Sequence, residues 1–260
     1  NFDDMRVKHK NLMILWNLHN FVIDLAKSNG LRPEASGAEL GLEERFIISR
    51  LNSTIRKATN LYDNYELSSI PALLEQLYLD LSRVYVQLVR DKTTNSMEER
   101  QLVLHVTYKV LLDTLKMMAP IVPFITEEIY QSFRREFGLP DESIHLLDFP
   151  DSVEMLIDEQ LESDFLVAQD IIQSALSARE KMQVGLRWPV KEVYIVPCDK
   201  KAEQSIKRME MQIRQQINAR KTRIIERFEH AKIRLKPNFA AMGPDFGEKV
   251  PSIIAHVLRE

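Results

Sequence analysis

The sequence predicts a mainly α protein: a helical bundle over residues 1–183, then a small α+β unit over residues 184–260. Three observations carry this. Long segments repeat apolar residues every three or four positions, the period of a helix with one buried face. The connections between those segments are short, which favours antiparallel neighbours. At Val184–Val196 the pattern changes. There Gly185 permits unusual backbone angles, Pro189 pushes Trp188 toward extended geometry, and the β-branched residues up to Val196 read as a strand. Trp188 is expected to be buried at this seam as a packing anchor between the two units.

The elements follow in order. Asp3 to Asn29 forms the first helix, with Leu12, Leu15, Trp16, His19, Val22, Ile23 and Ala26 on one face and Gly30 as its left-handed stop. Leu31 to Gly41 is a loop. A second helix, Leu42 to Tyr65, carries the seam Ile48, Leu51, Ile55, Ala58, Tyr62 and Tyr65, with Arg50, Arg56 and Lys57 off it. A third, Ser69 to Arg90, repeats the pattern with Ile70, Leu73, Leu77, Leu81, Val84 and Leu88. Ser69 is placed to cap it, and Pro71 fits the first turn. A fourth runs from Met97 to Met118, a fifth from Pro123 to about Phe137, and a sixth from about Asp158 to Met182. Beyond the seam come a strand at Glu192–Val196, a helix at Lys200–Gln216, strands at Ala219–Ile225 and Ala231–Lys236, and a closing helix at Pro251–Arg259.

Composition narrows the function. Hydrophobic residues make up 45% and charged residues 28% of 260, ordinary values for a globular chain. No apolar run approaches the roughly 20 residues of a membrane span. The one cysteine, Cys198, excludes an internal disulfide and a multi-cysteine zinc site, and beside Asp199 it is expected to be an inert thiol. No signal peptide is visible, and the chain opens at Asn1, as a piece of a longer protein would. From Arg179 to Lys236, 16 Lys and Arg stand against 7 Asp and Glu, a surplus of nine in a chain of net charge −3. Such local asymmetry suits either a polyanionic partner or a solvated, mixed surface.

Catalytic patterns are missing from the sequence. It has no glycine-rich phosphate loop after a strand and no nucleophile elbow. His9, His19, His105, His145, His230 and His256 are scattered and read as structural or surface residues. The acidic pairs Asp3-Asp4, Glu43-Glu44 and Glu127-Glu128 fall in early helical turns, where the dipole favours them. Against these absences stand the cations. Arg187 precedes Trp188, a possible stacking surface. Arg214, Arg220, Lys221 and Arg223 lie close in sequence, and Lys232, Arg234 and Lys236 alternate along an expected strand. Alternating cations can track phosphates or simply guard a strand edge.

Several stretches together resemble the isoleucyl-tRNA synthetases. Asn11-Leu12-Met13-Ile14-Leu15-Trp16-Asn17 is similar to the family's opening anticodon-domain helix. Ile48-Ser49-Arg50-Leu51 resembles I-L-S-R-L, and Asp80-Leu81-Ser82-Arg83-Val84-Tyr85 resembles D-L-S-R-W-Y. Ala119 to Tyr130 resembles a class I A-P-F-x-P-F-x-x-E-E-I-Y segment, shared with valyl and leucyl enzymes. Ser143-Ile144-His145-Leu146 with Asp148-Phe149-Pro150, Leu186-Arg187-Trp188-Pro189, and Lys236-Pro237-Asn238-Phe239 with Met242-Gly243-Pro244 complete the likeness. Val84 and Phe149 stand where the family usually has Trp, and Asp245 where it has Lys, so no RNA contact is carried onto Asp245. The H-I-G-H and K-M-S-K-S signatures and the editing domain are missing.

The resemblance therefore implies an anticodon-binding region without its catalytic domain. It implies tRNA(Ile) and the rest of the parent synthetase chain as partners, no membrane, and a cytoplasmic location. It implies no cofactor in this part, with ATP and Mg in the parent's catalytic domain. With tRNA as the partner, the off-seam cations of the bundle and the clustered cations beyond the seam give an expected contact set of Arg50, Arg56, Lys57, Arg83, Arg90, Lys92, Arg187, Arg220, Lys221 and Arg223. The alternatives are the equivalent domain of the valyl enzyme, or a helical scaffold that binds protein.

Overall fold

The computed structural model of the protein describes residues 2–227 together with Gly247. Helix α1 (Phe2–Asn29) ends at Gly30, whose φ of 61° lets the Leu31 amide reach back to the Ala26 carbonyl at 2.9 Å. Helix α2 (Leu42–Asp63) opens with the Gly41 amide on Glu44 Oε2 at 3.0 Å. Helix α5 (Met97–Met118) starts on Ser96, which accepts from the Glu99 amide, and α6 (Pro123–Phe137) stops at left-handed Gly138. Helix α7 (Glu159–Lys181) is capped by Asp158, which accepts from the Leu161 amide at 2.9 Å. These helices match the expected segments to within about two residues. Tyr65 does not: it lies past the end of α2 at φ 58° and is 86% exposed. Ser69 makes no side-chain cap, although Pro71 does sit in the first turn.

The third helix departs most from expectation. It runs as α3 (Ile70–Asp80), then a π turn (Leu81–Tyr85), then the short α4 (Val86–Leu88). In the π turn the Val86 amide reaches the Leu81 carbonyl, one residue further than an α-helix allows. That extra residue rotates everything after it. The expected seam of Leu81, Val84 and Leu88 becomes Leu81, Tyr85 and Val89, all fully buried.

The bundle core is apolar and continuous. Helix α2 packs on α3, α5 and α7, while α1 packs on α3, α5 and α6. Phe46 on α2 stacks on Phe165 of α7 with ring centroids 4.1 Å apart. Buried His19 bonds the Trp16 carbonyl and meets the Phe133 ring edge-on, and burial lowers its pKa, so it behaves as a core residue.

After α7 the chain forms a compact parallel unit: β1 (Val193–Ile195), α8 (Lys200–Arg208), α9 (Glu210–Gln216) and β2 (Thr222–Ile224). β1 pairs with β2 in parallel, Tyr194 opposite Arg223, and an isolated bridge joins Val190 to Ala219. The expected single helix at Lys200–Gln216 is broken at Met209. Asp199 caps α8 by accepting from the Ala202 amide at 2.7 Å. Both α8 and α9 pack on α7, and Ile206, Met209, Ile213 and Ile217 join the bundle's core. Asp164 clamps this contact, with Ser205 Oγ on Oδ1 at 2.6 Å and Arg208 on both carboxylate oxygens. The strand expected at Ala231–Lys236 and the helix expected at Pro251–Arg259 lie outside the described residues. No helix among the described residues is long and apolar enough to cross a membrane.

Candidate nucleic-acid interface

The ten sequence-derived contact residues separate into three groups. The first is structural. Arg50, expected off the seam, has a side chain only 14% exposed. Its Nη2 lies 2.9 Å from Asp80 Oδ2 and its Nη1 3.1 Å from Glu162 Oε2. Ser49 and Ser53 donate to Glu162, and Gln76 donates to Asp80 at 2.7 Å, so every charge in the cluster is met. Burial pulls the Arg50 pKa down, but Asp80 and Glu162 more than offset it and leave it raised. Burial pushes Asp80 up, against the opposing pull of Arg50. Lys92 is also committed: its Nζ lies 2.8 Å from Glu44 Oε2 and 3.3 Å from Glu43 Oε2. Burial lowers its pKa and the Glu44 contacts outweigh that, leaving it raised. Glu43 and Glu44, expected to serve the α2 dipole, thus have a second role.

The second group is exposed but paired. Arg56 reaches Glu154 and Glu159, each at 3.0 Å, with its side chain 41% exposed. Arg223, pointing outward from β2, pairs with Glu192, which also accepts from the Tyr194 hydroxyl at 2.6 Å. The third group is exposed: Lys57, Arg83, Arg90, Arg187, Arg220 and Lys221. Arg220 and Lys221 precede β2 rather than lying on it, and the Arg220 amide donates to the Val190 carbonyl at 2.9 Å. Lys232, Arg234 and Lys236 lie outside the described residues.

The seam itself corrects two expectations. Trp188 is not a buried anchor; it is 70% exposed. The anchor is Arg179, 7% exposed at the end of α7. Its guanidinium donates to the carbonyls of Gly185 at 2.7 Å, Ile217 at 3.4 Å and Trp188. The turn's left-handed residue is Gln183, at φ 55°, and Gly185 is not among the positive-φ positions. The backbone on either side of Trp188 is therefore fixed while its ring faces solvent.

A cleft of about 520 Å³ opens between α3–α4, α7 and α9, with Leu186 at its edge. Arg83 lines it, as do six glutamines: Gln76, Gln87, Gln169, Gln173, Gln212 and Gln216. Sequence reasoning passed over these residues, yet a signal existed. Gln169 and Gln173 on α7, and Gln212 and Gln216 on α9, are each four apart and so share a helix face. Among the described residues no group of His, Cys, Asp and Glu is arranged to hold a metal ion.

Comparison with known proteins places this surface in context. Residues 44–195, from the first turn of α2 to the end of β1, match the family described as "Anticodon-binding domain of tRNA ligase". The chain is 32% identical over 252 residues to an isoleucine–tRNA ligase of Thermococcus kodakarensis, covering 95% of the chain and 23% of that protein. It is 33% identical to one from Pyrococcus horikoshii, covering 90% and 22%, and 28% identical to one from Archaeoglobus fulgidus, covering 98% and 25%. The chain thus spans about a quarter of the length of the curated relatives it matches.

Proposed function

The chain belongs to the family of anticodon-binding domains of tRNA ligases, and from that premise we propose that it holds the anticodon end of tRNA(Ile) as part of an isoleucine–tRNA ligase. The observation that carries this reading is the family match across residues 44–195. The relatives named above are isoleucine–tRNA ligases, which favours tRNA(Ile) over the valyl alternative.

On this reading the chain's contribution is orientation. A docked anticodon end fixes the acceptor end relative to a distant reaction centre, so part of the entropy of bringing the reactants together is met by binding. Exposed Arg83, Arg90, Arg187, Arg220 and Lys221 supply phosphate attraction, and exposed Trp188 supplies a stacking face. Arg50 and Lys92 act indirectly by fixing the helices that present these groups. ATP, magnesium and the chemistry of isoleucine transfer belong to the remainder of the parent protein, whose expected compartment is the cytoplasm.

The test is binding of the 260-residue chain to tRNA(Ile) and to the same tRNA with a swapped anticodon. The expected result is tighter binding of tRNA(Ile). Equal affinity for the two rejects anticodon reading by this chain.

A further inference from the structure

We propose that the strap joining α6 to α7, Gly138 to Asp158, docks an amphipathic, lysine- and arginine-rich helix of a partner protein. This role stands apart from RNA binding, because the strap is acidic where an RNA surface must be basic.

The strap is long, yet the bundle fixes its backbone. Its regular structure is two short 3-10 turns, Ile144–Leu146 and Glu154–Leu156, and loops of such length are commonly functional. Glu127 of α6 accepts from the Ser143 hydroxyl at 2.8 Å and from the Ile144 amide at 3.1 Å. The Asn52 side chain of α2 accepts from the Val153 amide at 2.8 Å, and its carbonyl accepts from the Ser152 hydroxyl at 3.0 Å. The Asp158 amide donates to Ser49 Oγ at 2.8 Å, and the Tyr62 ring meets Phe149 edge-on. The strap therefore runs back along α2, from Tyr62 toward Ser49. Five of its large apolar side chains nevertheless face solvent: Leu146, Phe149, Val153, Met155 and Leu156, with Met155 95% and Leu146 67% exposed. A pinned backbone that holds a row of apolar side chains in water is the mark of a contact surface.

Charge selects the occupant. From Asp141 to Glu159 the chain carries seven Asp and Glu and no Lys or Arg. Arg56 answers Glu154 and Glu159, and Arg45 reaches Asp158 at 3.5 Å. Glu142, Asp148 and Asp151 are exposed and have no ion-pair partner among the described residues. This field repels nucleic-acid phosphates and anionic lipid headgroups alike, and it attracts a cationic surface. It also opposes a second copy docked strap against strap. From Asn52 to Tyr62 α2 rises about 15 Å, so the apolar row beside it has the length of about three helical turns. A helix with apolar anchors at i, i+3, i+4 and i+7, and with cations flanking that stripe, matches both the row and its acidic rim.

The probe is a fluorescein-labelled helical peptide of about 18 residues, with leucines at that spacing and lysines beside them. Its controls are a scrambled sequence of the same composition and a version with glutamate in place of lysine. The 260-residue chain should bind the probe at least about tenfold more tightly than either control. Two double variants are compared: Leu146→Ser with Met155→Ser, and Asp148→Asn with Asp151→Asn. Each should weaken probe binding by about tenfold, with the urea midpoint and the affinity for tRNA(Ile) unchanged. A scrambled peptide that binds equally well reduces the effect to net charge and overturns the proposal. Unchanged probe affinity in either variant overturns it too, as does a loss of tRNA affinity, which would make the strap part of the RNA surface. Sedimentation of the wild type and the Leu146/Met155 variant checks for self-association, and a dimer lost in the variant would give the strap to a second copy. Finally, the parent chain expressed whole is titrated with the same probe. Binding about tenfold weaker than that of the 260-residue chain would mean that the parent's remainder covers the strap, and the partner assignment would fall.

Discussion

Arg179, in the last turn of α7, donates from Nη2 to the backbone carbonyl of Trp188 while the Trp188 ring stands 70% exposed. The same guanidinium holds the Gly185 and Ile217 carbonyls. One buried cation therefore joins the bundle, the seam and the end of α9. Arg179→Met keeps the apolar stem but removes the guanidinium donor from three carbonyls, of which only that of Gly185 still accepts another bond among the described residues, from the Trp188 amide. The expected loss is about 2–3 kcal/mol, read from the urea midpoint, with faster proteolysis across residues 184–190. An unchanged midpoint would show that the tie does not support the seam.

Trp188→Ala has opposite expectations for stability and for binding. An exposed ring contributes little to folding, so the midpoint should move by no more than about 0.5 kcal/mol. Base stacking on an aromatic face is worth about 1–3 kcal/mol, so tRNA affinity should drop by about fivefold or more. A variant that unfolds several kcal/mol early with unchanged affinity would return Trp188 to a packing role.

The helices were legible in the sequence because their apolar spacing is regular and their ends carry Gly30, Pro123 and Gly138. What was not legible has physical causes. The π turn at Leu81–Tyr85 adds one residue to a helix, and a uniform 3.6-residue period then misplaces Val84 and Leu88. Arg50 sits off its own helix's apolar seam, but its carboxylate partners are 30 and 112 residues away in the chain. Spacing within one helix carries no information about them. Trp188 misled because a large aromatic is usually buried, and the backbone bonds that turn it outward come from a cation counted only as surface charge. The glutamines of the cleft were legible as faces of helices, but their convergence depends on how three helices pack.

Arg50→Met tests the buried cluster. Removing the cation leaves Asp80 and Glu162 buried without it, which typically costs about 3–5 kcal/mol. Lys57→Met, next to Arg56 on the exposed side of α2, should change stability by no more than about 0.5 kcal/mol. Calorimetric unfolding of the two variants distinguishes a structural from a surface cation. Equal effects would remove the distinction drawn between them.

Asp164 gives a pH dependence with a definite sign. Burial raises its pKa, but bonds from Arg208, Ser205 and Gln160 outweigh that and hold the carboxyl below its ordinary value of 3.8. The folded state therefore binds this proton more weakly than the unfolded state. Its stabilisation is fully present above the unfolded pKa, about 3.9, and is lost as pH falls through the lower folded value. The stability gap between wild type and Asp164→Asn should be flat from about pH 5 to 8 and narrow below about pH 4. Urea midpoints across a pH series check this, and a gap that widens in acid would contradict the assigned direction.

Arg220, Lys221 and Arg223 are close in sequence, yet the structure makes them unequal for RNA. Arg223 is held by Glu192, so a phosphate must displace or share that carboxylate, and the pair brings little net charge. Arg220 and Lys221 are exposed, and their backbones are pinned by the pairing with Val190 and Val193. Each phosphate neutralised contributes about 0.7 to the slope of log affinity against log salt for single strands and about 0.9 for duplex. Replacing Arg220 and Lys221 together by Ala should therefore flatten the slope for tRNA(Ile) by about 1.4–1.8. Arg223→Ala alone should flatten it by much less than one contact's worth. Neither change should alter stability greatly, because exposed charges add little to folding. Anticodon preference should persist in both, since these cations attract phosphate and carry no base information. The measurement is a salt series with both tRNAs for all three proteins. An unchanged slope in the double variant would take this segment out of the interface. A larger effect from Arg223→Ala would mean that Glu192 releases it on binding, making the ion pair a latch and not a brace.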